Sequence, residues 1–73
     1  DIFMEACRQA QAPPAQVLHV GDDLLLDVEA ALAAGLQAAW VARPDIHADV
    51  DRAPPGTHHV VRSLGELADR LGV

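Results

Sequence analysis

The chain has 73 residues, 51% of them hydrophobic, with 11 acidic against five basic side chains and a net charge of −6. That length allows one small domain, which buries only about 60% of its unfolded surface, and the lone cysteine, Cys7, excludes an internal disulfide. The acidic balance argues against a nucleic-acid partner, no apolar run approaches the ~20 residues of a membrane span, and no signal peptide opens the chain, so a soluble, cytoplasmic protein is expected.

Ile2, Phe3, Ala6, Cys7 and Ala10 recur at the helical period and predict an amphipathic helix over residues 2–11, ended by Pro13-Pro14. Cys7 on its apolar face reads as a buried, inert thiol. Residues 16–21 form an apolar run suited to a strand covered on both faces. His19, inside that run, reads as a packed or hydrogen-bonded core histidine. The strand stops at Gly21, and Asp22, Asp23 and Asp27 follow as a helix over residues 24–34 begins. Gly35 stands where a C-terminal cap glycine belongs.

Residues 36–42 predict a second buried strand, and residues 43–57, with Asp45, His47, Asp49 and Asp51, a polar surface loop. His47 has no partner at zinc-ligand spacing. Residues 58–62 predict a short third strand, on which the neighbours His58 and His59 face opposite ways and do not share a metal. Ser63-Leu64-Gly65-Glu66 has the form of a capping box, and Leu64, Leu67, Ala68 and Leu71 lie on one face of the helix it opens. The order α-β-α-β-loop-β-α implies an α/β fold, a partial doubly wound (Rossmann-like) parallel sheet. Two or three parallel strands alone leave a sheet edge open, so the rest of a larger doubly wound domain is expected elsewhere.

In open parallel sheets, ligands bind outside the carboxyl ends of the strands, and carboxylates delivered there are natural ligands for magnesium. Asp22 directly follows the strand glycine, where backbone and ligand can approach closely. Metal binding and helix capping are both open to it. Asp27 serves either the helix dipole, at about 0.3–1 kcal/mol, or the site. Asp23 reads as a helix cap or a solvent-facing group that shapes the site. Arg43, just beyond the second strand, reads as a surface arginine or a phosphate contact.

Val-Leu-His-Val-Gly-Asp-Asp-x-x-x-Asp-Val-x-x-Ala-x-x-Ala-Gly-Leu, with Gly21, Asp22 and Asp27 at its acidic positions, resembles the fourth motif of the haloacid dehalogenase-like (HAD) hydrolase superfamily. The opening Asp1-Ile2-Phe3-x-x-Ala6-Cys7 is similar to the segment after that family's third motif, and Val61-x-Ser63-Leu64-x-Glu66-Leu67 to a frequent ending. The resemblance spans nearly the whole chain and implies that residues 1–73 are the C-terminal half of a HAD-like core. It implies Mg²⁺ as cofactor and a metal site of Asp22 and Asp27, with Asp22 as the ligand and Asp27 in a supporting role, shaped by Gly21 and Asp23. Asp22 favours phosphatase over dehalogenase chemistry, with a small phosphorylated metabolite as substrate. The Gly-Asp-Asp form with Ala39-Trp40-Val41 is similar to a bacterial branch acting on flavin-pathway and other small phosphomonoesters.

The nucleophilic Asp-x-Asp motif of that family, its Ser or Thr and its Lys would lie before this segment, and the chain contains no lysine. No catalytic residue is therefore assigned here, and the chain alone is expected to be inactive. The alternative is a non-catalytic α/β module that binds a cation or a protein through the same acidic loop. A receiver-like domain is disfavoured because the second strand ends in Ala42-Arg43 without the required acid. A polymerase Gly-Asp-Asp hairpin is disfavoured because this motif opens a helix.

Overall fold

A computed structural model of the chain describes residues 2–43 and 52–72. Among the described residues, strand β2 (Gln37–Val41) is the middle of a three-stranded sheet, with β1 (Leu18–Gly21) on one side and β3 (His59–Val61) on the other. Both pairings are parallel, with Leu18 opposite Gln37, Gly21 opposite Trp40 and Val41 opposite Val61. Ala38, Ala39 and Trp40 are fully buried, as expected for a strand covered on both faces. The chain is thus an α/β unit with a parallel sheet and helices on both sides.

Side chains alternate across each strand, and the core divides accordingly. Ala38, Trp40 and Ala42 face a cluster that includes Phe3 and Cys7 of α1 (Ile2–Ala10), together with Val28 and Ala31. Ala39, Val41 and Val61 face Leu67 of α3 (Leu64–Leu71), with Leu18 and Val20 packed alongside. Trp40 is the largest fully buried side chain. An aromatic side chain of roughly 150–250 Å² accounts for several kcal/mol of apolar burial, so this one residue carries much of an otherwise alanine-rich core.

Helix α1 ends before the prolines. Gln11 takes a positive φ of 55°, the amide of Ala12 donates to the Cys7 carbonyl and that of Gln11 to Arg8, both at 3.2 Å. These are the two bonds of a Schellman turn. Pro14–Gln16 then form a single 3₁₀ turn that delays β1 to Leu18. Of the predicted apolar face of α1, only Phe3 and Cys7 are buried, while Ile2, Ala6 and Ala10 stand exposed. One turn apart, Phe3 and Cys7 form a stripe narrower than the apolar face the sequence provides.

The predicted 24–34 helix is wound in two ways. Leu24–Glu29 is a π-helical turn and Ala30–Ala33 (α2) is α-helical. Gly35, at φ 88°, closes it with a second Schellman pair, Leu36 to Ala31 and Gly35 to Leu32, both at 3.0 Å. Helix α3 starts at an N-cap, where Ser63 Oγ accepts the Glu66 amide at 3.1 Å. Glu66 Oε1 reaches back to the Arg62 amide at 3.1 Å, one residue before the position a standard capping box uses. Leu67 is buried, whereas Leu64 and Leu71 are exposed. Asp45, His47, Asp49 and Asp51 lie outside the described residues.

Candidate functional site

Everything that distinguishes the carboxyl end of β1 follows from how the chain leaves the strand. Asp23 is the N-cap of the π turn, and its Oδ1 accepts the amides of Leu25 at 2.9 Å and Leu26 at 2.8 Å. This is the local bonding for which aspartate is preferred at that position. The Asp23 carbonyl accepts from Asp27 at 2.9 Å and from Val28 at 3.2 Å, and the second of these spans the five residues of a π bond. The wider first turn brings Asp27, four residues after the cap, back to the cap itself. Asp27 Oδ2 accepts the Asp23 amide at 3.1 Å.

That return carries Asp27 over β1. A Cβ on Gly21 would stand 2.2 Å from Asp27 Cγ and Oδ2, so the absent side chain of Gly21 is what makes room for the carboxylate. The other carboxylate oxygen, Oδ1, lies 3.1 Å from His19 Nε2. Asp27 can only accept when ionised, so the His19 Nε2 carries a proton in this pairing. Both side chains retain roughly 30% exposure, 31% for His19 and 29% for Asp27. Partial burial pushes the Asp27 carboxyl upward, but the His19 hydrogen bond, the Asp23 amide, the His19 charge and the Asp22 amide together hold it below the ordinary aspartate value.

Asp22 is differently placed. It is exposed, and its backbone carbonyl accepts a hydrogen bond from the buried Trp40 indole Nε1 at 3.1 Å. Trp40 thereby ties the residue between β1 and the π turn to the middle strand. Asp22 lines an open depression of about 220 Å³ together with Val20, Gly21, Val41, Arg43 and Leu64. The depression lies at the carboxyl ends of β1 and β2, where ligands bind in sheets of this kind. An acidic and a basic side chain, Asp22 and Arg43, thus stand at its margin.

The sequence-predicted residues separate into two groups. Gly21, Asp22, Asp23 and Asp27 come together at one strand end, with Arg43 beside them. Cys7 is buried in the α1 face of the core, His58 Nδ1 accepts the Ala38 amide at 3.4 Å near the opposite end of β2, and neither joins the site. His19, expected as a packed or hydrogen-bonded core histidine, is partly buried and hydrogen-bonded. Its partner is an acid of the site, which a one-dimensional pattern does not reveal. Among the described residues, no three acidic, histidine or cysteine side chains converge as a ready-made metal cage. One or two carboxylates nonetheless suit Mg²⁺, which retains several waters and is completed by substrate phosphate.

The parallel sheet with helices on both faces is an α/β fold, and comparison with known proteins gives its family. Residues 1–67 match the HAD-hydrolase-like family, and the chain belongs to that family. Over 45 residues, 62% of this chain, it is 42% identical to the 5-amino-6-(5-phospho-D-ribitylamino)uracil phosphatase YigB of Escherichia coli. Over 70 residues, 96% of this chain, it is 34% identical to the human haloacid dehalogenase-like hydrolase domain-containing protein 3. The crystal structure of a HAD phosphatase from Thermococcus onnurineus superposes with a TM-score of 0.75 at 31% identity, covering 97% of this chain. The matched regions make up 18% and 28% of the two curated relatives and 31% of the crystallised chain.

Proposed function

We propose that the chain is the C-terminal segment of a Mg²⁺-dependent HAD-like phosphatase acting on a small phosphomonoester, and that it supplies the metal-binding acidic loop. The observation that carries this reading is the exposed Asp22 at the carboxyl end of β1, lining a depression it shares with Arg43. Asp22 offers an oxygen ligand, and Arg43 a charge able to meet substrate phosphate. Bound Mg²⁺ would neutralise charge on the transferring phosphoryl group. Asp27, with both carboxylate oxygens already hydrogen-bonded, fits the supporting role, holding the loop in shape. Asp23 fixes the start of the turn, and Gly21 leaves the room that Asp27 uses.

The chemical step itself is assigned to other parts of the protein. In this reading the nucleophilic aspartate, the acid/base aspartate and the phosphate-neutralising lysine lie there. A phosphorylated ribitylaminouracil is the natural first candidate, because the E. coli relative bears the name of a 5-amino-6-(5-phospho-D-ribitylamino)uracil phosphatase.

Phosphatase activity of the full-length protein tests the reading. Asp22→Asn is expected to lower Mg²⁺-dependent turnover at least about tenfold, as loss of a charge-stabilising group does, with the circular dichroism spectrum unchanged. Full activity in a folded Asp22→Asn protein would remove Asp22 from the metal site.

A further inference from the structure

The two partners of the Asp27 carboxylate differ in kind. The Asp23 amide belongs to the same turn, so that bond shapes the loop internally. The His19 imidazole comes from β1, eight residues earlier, so that bond fastens the loop to the sheet. His19 and Gly21 are two residues apart on one strand and therefore share a face. The carboxylate rests over the bare Cα of Gly21 and against the ring of His19. The ring is itself held, because Phe3 of α1, 9% exposed, meets it edge-on with centroids 5.0 Å apart and planes at 90°. Such a contact fixes the imidazole plane, and the plane directs Nε2–H.

We infer that His19 is a positioning residue of this site: held by Phe3, it donates from Nε2 to Asp27 and so sets the acidic loop, and with it Asp22, relative to the sheet. The inference rests on the reading of Asp22 as a cation ligand. Nothing about it requires His19 to touch the cation or the substrate. A packing role would be met by any side chain of similar volume, whereas positioning requires a donor at the place of Nε2.

The test uses the full-length phosphatase, with Mn²⁺ as a probe for the Mg²⁺ site read by electron paramagnetic resonance, and with the Mg²⁺ dependence of turnover measured in parallel. His19→Leu is expected to weaken Mn²⁺ binding about 10–100-fold, the range seen when a partner that orients a metal ligand is removed. Saturating Mg²⁺ should restore most of its kcat. His19→Gln, which retains an N–H donor of similar reach, should recover most of the affinity. If His19→Leu does not fold, His19→Phe, which keeps a ring beside Phe3, is read in the same way. Wild-type Mn²⁺ affinity in either donor-free variant would overturn the proposal, as would failure of both to fold or failure of His19→Gln to rescue.

Asp22→Asn, run alongside, separates the two levels. Lost Mn²⁺ binding in Asp22→Asn with unchanged binding in His19→Leu would overturn the positioning role and leave the metal reading intact. Unchanged binding in Asp22→Asn would bring down both.

Discussion

At Gly21 even a methyl group has nowhere to go, because its carbon would overlap the Asp27 carboxylate. The sequence suggests that this glycine admits a ligand, and the structure shows Asp27 using its space. The neighbouring aspartates divide the remaining work by position: Asp23 satisfies the orphan amides of the turn, Asp22 stays exposed at the depression, and Asp27 joins turn to strand. Capping by Asp23 was legible because aspartate is preferred at an N-cap. The bond between His19 and Asp27 was not, because it depends on how far the chain folds back after the strand. Gly21→Ala is expected to destabilise the full-length protein by about 1–3 kcal/mol, the cost of overpacking a filled space. Urea denaturation measures this, and an unchanged midpoint would mean that Asp27 moves aside freely.

Among the elements, the strands and α3 were the most legible. Their apolar runs and the Ser63 cap are local signals, and the observed bounds fall within a residue or two of those expected. The π turn escaped notice because a hydrogen bond that slips from four residues to five leaves hydrophobic periodicity almost unaltered. The left-handed cap that ends α1 escaped as well, since Gln11 is not a residue that announces that conformation. A non-glycine residue there is strained by roughly 1–2 kcal/mol, partly offset by its lower entropy when unfolded. Gln11→Gly should therefore raise stability by up to about 1 kcal/mol, read as a higher urea midpoint. A lower midpoint would show that the Gln11 side chain contributes more than its backbone strain costs.

For the molecule as a whole, the parallel sheet with helices on both faces was legible from element order alone, and the family from the acidic motif and its context. What the sequence could not supply is the way three elements meet at one strand end: Phe3 from α1, His19 from β1 and Asp27 from the π turn form a single chain of contacts beside Asp22. Its members are distant in sequence, and only the pairing of β1 with β2 brings Trp40 to the Asp22 carbonyl. We propose that this strand end holds the cation of a phosphatase. The most direct measurement is paramagnetic broadening of backbone amide resonances by Mn²⁺ in the full-length protein. Broadening centred on Gly21, Asp22 and Asp23, and lost in Asp22→Asn, is the predicted result. Broadening that leaves these amides sharp, or that persists unchanged in Asp22→Asn, would show that Asp22 does not hold the cation.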